Sequence, residues 1–303
     1  MKIMYNNKDI YKDISLNYAV HEMHAEGEAD SLVLRFNDPK GLWSKWDPKT
    51  GDEISLEQQG SKTGKMFIYN MQAQNGLYTI RAMSMPMSMR DCRSASWQKV
   101  KLSQIAQEIA SRHGLEVKLY DVKDQTYNSM KQQEESDIAF LSGLCMLEGC
   151  QLIIYDGQII IYGEAARENS KSTDTIEIGA AGDYSCQDYS ADKYGTAKVH
   201  AGTYSGEYSA GGSSRTIERK LHANSNAEAT RFAKGLLRNA NKSSHVGCVT
   251  LDFTAKYAAA SVVEIKTKKA KQWNGKSFIT KVRQDYVRNL SVLFFRGVTL
   301  EGY

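Results

Sequence analysis

The spacing of apolar residues is clearest between Gln132 and Tyr162, where a helical rhythm changes to a strand rhythm. Ser136 can accept a bond from the free amides of a first helical turn, and Asp137 suits the positive end of a helix. Apolar residues then recur at steps of three and four: Ile138, Leu141, Leu144 and Cys145. The pattern predicts a helix that begins at Ser136 and ends near Gly149, where glycine tolerates a left-handed backbone.

The apolar run that follows this helix predicts two strands joined by a tight turn. Asp156 and Gly157 form a two-residue hairpin signal between the sequences LIIY and QIIIY. We therefore expect one helix packed on one β-hairpin, and the segment contains no obvious catalytic residue.

A second helix is predicted in front of the first. It has a continuous apolar stripe that stops at Gly114, formed by Leu102, Ile105, Ala106, Ile109 and Ala110. The two helices and the hairpin together predict a compact α/β unit over about Asp91 to Tyr162.

The region before residue 90 alternates between short apolar strands and polar turns. Strands are predicted over residues 14–24 and 31–36 and in the sequence GDEISLEQQ. A second hairpin signal, Asn75-Gly76, divides the apolar sequence KMFIYNMQAQNGLYTIRAMSM. Several short strands at close spacing predict a small antiparallel barrel.

The region after residue 163 is also predicted to be β-rich. Residues 163–174 (GEAARENSKSTD) have the polarity of a linker. Ser225 to Glu228 fits a capping box that starts a helix with one apolar face. Further strands are predicted in CVTLDFTA, SVVEIKT, SFITKVRQDY and LSVLFFRGVTL. We therefore expect a second small barrel with one helix packed against it.

Composition limits the classes of protein to which this chain can belong. Its 303 residues are 41% hydrophobic and 24% charged, which is typical of a soluble globular protein with two or three domains. A net charge of +4 is too mild to predict specific nucleic-acid binding. No apolar run approaches the ~18 residues of a membrane span. The N-terminus lacks a secretory signal core, so the sequence predicts folding in a cytosol.

Few side chains suggest chemistry. His21 and His24 flank Glu22, but the spacing is not HExxH, and a strand would point the histidines to opposite faces. A solvated strand end is predicted there rather than a metal site. The cysteines form no CxxC pair and are predicted to be buried thiols rather than disulfide or zinc partners: Cys92, Cys145, Cys150, Cys186 and Cys248.

Three other groups have structural explanations. A Cys–His nucleophile would need Cys145 or Cys150 close to His113 or His200, whereas the apolar surroundings of Cys145 predict a core thiol. Two carboxylates before Ser136 are interpreted as an acidic turn that stabilises the helix, Glu134 and Glu135. The basic stretch KTKKAKQW at residues 266–273 is predicted to be a solvated loop, with nucleic-acid contact as the alternative.

Three stretches resemble one known family. The sequence ESDIAFLSGLCMLEGCQLIIYDGQIIIY is similar to the "QxxESDxxFLxxLaxxxG" helix and following hairpin of the phage late control gene D family, the baseplate hub proteins of contractile tails. LSQIAQEIASRHGL resembles the helix that precedes it in that family. PKTGDEISLEQQG followed by GKMFIYN resembles two of its strands, although Tyr69-Asn70 stands where many relatives have glycine. Hub-forming parts of type VI secretion spikes are more distant relatives.

This resemblance implies a structural protein rather than an enzyme. In the family, three subunits form a ring and each carries two tube-like β-barrels, so that six barrels meet a hexameric tail tube. The implied fold is β-rich α+β, with a barrel domain at 1–90, an inserted α/β domain of two helices and a hairpin at 91–163, and a second barrel domain with one helix at 164–303. No catalytic residue, cofactor or metal is expected.

The resemblance also implies partners and a location. The expected partners are further copies in a homotrimer, the tail tube protein or tube initiator, the central spike, other baseplate proteins and the tape measure protein, without a membrane or specific nucleic acid. The expected location is the baseplate of a virion or tail-like bacteriocin, assembled in the bacterial cytoplasm.

Two functions of other classes remain open at this point. The first is a peptidoglycan hydrolase that acts from the tail tip, because many tail-tip proteins are fused to lytic domains. No segment is left over for such a domain, and no paired-carboxylate site stands out. The second alternative is a carbohydrate-binding module.

Overall fold

The computed structural model describes residues 1–179 and 183–298, which form five α-helices and twenty-two strands. The helices are α1 (Leu42–Trp46), α2 (Leu102–Arg112), α3 (Asp137–Leu147), α4 (Glu164–Asn169) and α5 (Asn226–Asn241). None of these described helices has the length and apolar character needed to cross a membrane.

The strands fall into two groups along the chain, before and after α4. Those before it are β1 (Lys2–Tyr5), β2 (Lys8–Asp9), β3 (Leu16–His24), β4 (Ser31–Asn37), β5 (Glu53–Gln58), β6 (Ser61–Lys62), β7 (Met66–Gln74), β8 (Leu77–Met83), β9 (Cys92–Lys101), β10 (Glu116–Tyr120), β11 (Thr126–Ser136), β12 (Cys150–Tyr155) and β13 (Gln158–Gly163). Those after it are β14 (Thr175–Ile178), β15 (Tyr184–Asp188), β16 (Thr196–Ala201), β17 (Tyr204–Ser209), β18 (Thr216–Lys220), β19 (His245–Asp252), β20 (Val262–Thr267), β21 (Gly275–Asp285) and β22 (Leu290–Gly297).

Both predicted hairpins are present. Asn75 and Gly76, between β7 and β8, have φ angles of 51° and 71°. Asp156 and Gly157, between β12 and β13, have φ angles of 47° and 76°. Left-handed backbone at both central residues is the requirement of a type I′ turn, so the sequence signal is confirmed.

The predicted helix caps are also present. Ser136 Oγ accepts a bond from the amide of Ala139 at 3.3 Å, and α3 ends before Gly149, which has a φ of 70°. At the start of α5, Ser225 Oγ accepts a bond from the amide of Glu228 at 3.1 Å, so the Ser225 half of the predicted capping box is confirmed, while the Glu228 carboxylate accepts from the amide of Asn224 at 3.3 Å. These caps satisfy amides that a helix start leaves free.

Most strands belong to one large sheet. Its order is β15-β19-β22-β21-β3-β4-β8-β7-β5-β1-β2, with β6, β14 and β20 as branches. Its pairs are antiparallel except for β14 with β20. The β-rich fold is confirmed, but this strand order does not close on itself within the described residues. No closed barrel is found among the described strands, so the two barrels remain a prediction.

Three smaller sheets surround the largest hydrophobic core. Their orders are β10-β13-β12, β11-β9 and β17-β16-β18. The apolar faces of α2, α3 and α5 meet in this core, where Leu141 and Phe232 are both buried. The α/β segment and α5 thus share one core, next to separate clusters under each end of the large sheet.

Two local expectations are wrong. The predicted linker at 163–174 contains α4, whose Glu164 and Glu168 are buried. The predicted acidic turn is part of β11, which pairs with β9 through an irregularity between Gln132 and Glu135. Charged residues look solvated in a sequence, and only the packing against neighbouring elements shows which of them are buried.

Candidate assembly surface

The large sheet contains the same four-stranded unit twice in succession. Unit one consists of β3, β4, β7 and β8, and unit two consists of β15, β19, β21 and β22. We number the strands of each unit from first to fourth along the chain. Across the sheet, both units then have the order third, fourth, second and first, which is β7-β8-β4-β3 in unit one and β21-β22-β19-β15 in unit two. The third strand of each unit also pairs near its start with an extra strand, β5 or β20. The units are therefore structural repeats joined head to tail.

A shared β-bulge aligns the two units residue by residue. The ladder of β7 with β8 shifts register just before Asn70, and that of β21 with β22 shifts just before Lys281. The last residue pair before the register shift is Ile68↔Ala82 in unit one and Ile279↔Phe295 in unit two. Ala82 and Phe295 are each the sixth residue of their strands, β8 and β22. A bulge is a specific local feature, so Asn70 and Lys281 occupy equivalent positions.

The two units meet where β3 pairs with β21. The register at this joint is Lys281↔His24, Val282↔Met23, Arg283↔Glu22, Gln284↔His21 and Asp285↔Val20. On one face, His21 and Gln284 are 0% and 1% exposed. On the other, Glu22 Oε1 lies 3.8 Å from Lys281 Nζ and 3.9 Å from Arg283 Nη1. The paired side chains of the joint are thus buried on one face of the sheet, and half-exposed ion pairs connect the two strands on the other face.

Each end of this two-unit array is an open strand edge. Among the strands of the described ranges, β15 pairs with β19 alone. The third strand of unit one, β7, is covered by β5 only at Met66 and Phe67. Residues 70–74 of β7 therefore have no strand on their outer side within the described part of the chain, and most of their side chains are exposed. The open edges are the counterparts of the two strands that meet at the joint.

A buried charge network lies at the end of the joint. Arg296 in β22 is fully buried. Its guanidinium lies 3.0 Å from Glu26 Oε1, 2.9 Å from Glu164 Oε1 and 2.6 Å from Glu168 Oε1. Glu26 follows β3, whereas the other two carboxylates belong to α4. Arg296 therefore connects unit two to unit one and to the segment between them.

Helix α5 and the residue that follows it contribute two more cations to this network. Arg238 lies 2.8 Å from both Glu164 and Glu168, and Lys242 Nζ lies 3.1 Å from Glu164 and 3.3 Å from Glu26. Three cations thus balance three carboxylates. A buried charge is costly unless it is paired, so the network requires all these elements to be in place together.

The network shifts the ionisation of its members. Burial opposes the charge on Glu164, but Lys242, Arg296 and Arg238 outweigh burial and hold the pKa of Glu164 below its ordinary value. Burial also opposes the charge on Arg296, but Glu164, Glu26 and Glu168 raise the pKa of Arg296 above its ordinary value. Both groups therefore stay charged at neutral pH.

Outside this network, another buried carboxylate lies at the start of α3. Asp137 is fully buried and lies 2.7 Å from His113 Nε2, 2.9 Å from Arg112 Nη1, 3.0 Å from Gln132 Nε2 and 3.3 Å from Arg93 Nε. Burial raises the pKa of Asp137, but these partners, His113 first, hold it below its ordinary value. The cluster joins α2, α3, β9 and β11, which is a structural role.

The two histidines of the candidate metal motif are not brought together. His21 lies on the buried face of β3, with Nε2 3.8 Å from Asp30 Oδ2. The prediction of a solvated strand end is wrong for this residue, because it is 0% exposed and lies beside the buried Asp30. His24 lies at the strand end with Nδ1 2.9 Å from Glu28 Oε2. Within residues 1–179 and 183–298, no group of three or more metal-ligating side chains is found.

The cysteines have three different environments. Cys145 and Cys150 are buried, and burial raises the pKa of Cys150 to about 12, so neither is a ready nucleophile. The prediction of buried thiols is confirmed for these two. Cys92 is exposed, while Cys186 and Cys248 are half-buried, so the prediction is wrong for them. Cys186 lies on the open edge strand β15 and packs against the core cluster under that end of the sheet.

The predicted basic loop is confirmed as solvated. It contains the end of β20 and the start of the connection to β21, and its lysines are exposed: Lys266, Lys268, Lys269 and Lys271. In contrast, sequence reasoning missed the buried charge network. Pairs of like-charged residues four apart, Glu164 with Glu168 and Arg238 with Lys242, were the only signal that could have indicated it.

Comparison with known proteins identifies the fold. No protein-family model and no curated protein matches the sequence. Among solved structures, the 43 kDa tail protein of prophage MuSo2 from Shewanella oneidensis matches with a TM-score of 0.75 and 12% identity over 97% of both chains. The tail protein from Neisseria meningitidis MC58 matches with a TM-score of 0.80 and 10% identity over 99% of this chain and 97% of its own.

A protein of a secretion system has a similar structure. The E. coli c3393 protein, a type VI secretion component with structural similarity to the T4 tail proteins gp27 and gp5, matches with a TM-score of 0.63 and 12% identity over 100% of this chain and 79% of its own. This chain therefore has the fold of phage tail proteins and of type VI hub proteins, in agreement with the baseplate hub resemblance of its sequence.

Proposed function

We propose that this chain is the central baseplate hub of a contractile phage tail or phage tail-like bacteriocin. It forms a homotrimeric ring that adapts a threefold spike to a sixfold tail tube. The observation that carries this proposal is the repeated strand order of the large sheet, in which one chain supplies two equivalent units. Three chains then present six equivalent units.

The open edges support a closed ring. Inside the chain, the first strand of unit one pairs with the third strand of unit two. The edges left open are the first strand of unit two and the third strand of unit one. Pairing between copies can therefore repeat the internal joint, and such head-to-tail contacts form rings when the rotation closes. Ring closure also removes strand edges that would otherwise favour aggregation.

The rest of the proposal concerns organisation and partners. Residues 1–90 and 164–303 supply the tube-like units, which complete their barrels only in the ring, and residues 91–163 lie outside it. The ring contacts the tail tube protein or tube initiator on one side and the central spike on the other. Other baseplate proteins and the tape measure protein are further partners, and assembly takes place in the bacterial cytoplasm. The role is structural, without catalysis.

Imaging of the assembled particle tests the proposal. We expect three copies around the tail axis with a central channel, and for the purified trimer a mass of roughly 100 kDa, three times the 33.9 kDa chain. Six copies around the axis, or a position off the axis, would contradict the hub assignment. Clearing of cell walls in a zymogram by the purified chain would favour the hydrolase instead.

A further inference from the structure

We infer that β7 of one copy pairs antiparallel with β15 of the next copy, with Ala73 opposite Cys186. This inference rests on the proposed ring of three chains, and it assigns the residues of the contact between copies. The partner is a second copy of this chain, because the two open edges of one chain are complementary in the same way as the two strands of its internal joint.

The equivalence of residues on β7 and β21 follows from the bulge. Asn70 and Lys281 are the first residues after the register shift in their ladders. Counting three positions onward from each makes Ala73 the equivalent of Gln284.

The equivalence on the other strand follows from the ladders of each unit. His21 pairs with Leu32, which pairs with Ala82, the sixth residue of β8. Cys186 pairs with Gly247, which pairs with Phe295, the sixth residue of β22. Cys186 is therefore the equivalent of His21.

The internal joint then gives the register between copies. His21 and Gln284 pair directly at that joint, so their equivalents Cys186 and Ala73 pair directly between copies. The remaining pairs follow from the same count: Asn70↔Tyr189, Met71↔Asp188, Gln72↔Gln187 and Gln74↔Ser185. None of these pairs brings like charges together, which would be unfavourable in a sheet.

The exposure of Ala73 and Cys186 agrees with open strand edges that a second copy of the chain can cover. His21 and Gln284, which pair at the joint, are both buried: His21 lies beside Asp30, and Gln284 contacts Ser61 and Thr254. Cys186 is only half-buried and Ala73 is exposed, although both lie at the equivalent positions. Small apolar side chains at an exposed strand edge are those that a neighbouring strand can cover without leaving a buried polar atom unpaired.

Disulfide cross-linking tests the register. Directly opposite residues in an antiparallel ladder have Cα atoms about 4.5–5.5 Å apart, within the usual range for a disulfide. We expect Ala73→Cys, in the full chain assembled as a trimer, to form covalent dimers and trimers under mild oxidation through native Cys186. Cys186→Ser in the same background should abolish these bands, which excludes exposed Cys92 as the partner.

Two matched variants separate the register from its alternatives. Met71→Cys tests a register between β7 and β15 that is shifted by two residues. Gln72→Cys places the new thiol on the opposite face of the strand from Cys186. Both should give at least tenfold less cross-linked product than Ala73→Cys with Cys186. The double variant Gln72→Cys, Gln187→Cys is a second probe of the same register, in case Ala73→Cys does not fold.

The outcomes distinguish this inference from the proposed function. If the mass shows a trimer but Met71→Cys cross-links better than Ala73→Cys, the register is wrong and the hub assignment stands. If the trimer forms and neither Ala73→Cys nor the double variant cross-links, the paired strands are wrong. If imaging shows no ring of three copies, the hub assignment and the register both fail.

Discussion

The internal joint and the open edges are equivalent positions of one structural repeat, yet they differ in chemistry. The joint is crossed by the ion pairs of Glu22 with Lys281 and Arg283. At the edges, the equivalent positions are all neutral amides: Gln187, Asn70 and Gln72. The ion pairs of the joint are partly exposed and add only a small stabilisation to it. At these three positions the edges offer neutral amides, which suit a contact between separate copies of the chain.

The buried charge network is a further chemical difference between the two units. Arg296 is the seventh residue of β22, and the seventh residue of β8 is Met83. The unit next to the network thus has a buried guanidinium where the other unit has a thioether. The repeat is the same in backbone, but only one copy of it is held by charges that connect α4, α5 and the turn after β3.

The largest expected effect comes from removing the central cation of the network. Arg296→Met leaves Glu26, Glu164 and Glu168 with too few cations, and breaking a buried ion pair costs about 3–5 kcal/mol. We expect the free energy of unfolding in urea to fall by that amount. Lys65→Met is the matched control, because its ion pair with Glu53 is exposed and worth below about 1 kcal/mol. Equal losses in the two variants would show that the network does not hold the joint.

Acid should weaken the same network. Because the pKa of Glu164 in the folded chain lies below its ordinary value of 4.5, its stabilising contribution is present above that pH and is lost as pH falls through the folded pKa. The expected slope is about 1.4 kcal/mol per pH unit for one proton. Unfolding curves between pH 7 and pH 3 measure it. Glu164→Gln should have a shallower acid slope, and an unchanged slope would refute the assignment to Glu164.

A proline on the open edge should prevent assembly without unfolding the chain. Tyr286 N–H donates to Ala19 O and Ala25 N–H donates to Thr280 O, so alternate residues of β21, including Gln284, direct their amides to β3. Its equivalent Ala73 therefore has an outward N–H, and Ala73→Pro removes that donor.

This variant should associate at least tenfold more weakly, about 1.4 kcal/mol, with little change in the urea midpoint. Ala73→Ser keeps the amide and is the control. Sedimentation over a range of protein concentrations makes the comparison. A proline variant that assembles as well as the serine variant would show that β7 is not an interface strand.

The smallest effect concerns the ion pairs of the joint. Glu22→Gln removes half-exposed contacts of 3.8 Å and 3.9 Å, which are worth about 0.2–1 kcal/mol and are screened by salt. We expect a small loss of unfolding free energy that disappears in high salt. A loss above about 2 kcal/mol would mean that the joint depends on this charge as strongly as on Arg296.

Local signals in the sequence predicted local structure well. Ser136, Gly149, Asn75-Gly76 and Asp156-Gly157 act through their own backbone and their nearest neighbours, so their roles could be predicted without a tertiary structure. The errors concern residues whose partners are distant in sequence. His21 was expected to be solvated, but it is buried and pairs with Gln284 of β21, more than two hundred residues away in the sequence.

The candidate surface was the least predictable part. The two units share backbone order and a bulge, but Gln284 aligns with Ala73 and His21 with Cys186, so the repeat leaves no visible trace in the side chains. The sequence by itself determined the β-rich fold, the helix faces and the turns, because these depend on local spacing and on hydrophobic burial. Only the tertiary structure decided which strands are joined, which edges stay open and which charges are buried, because these depend on pairing between distant segments.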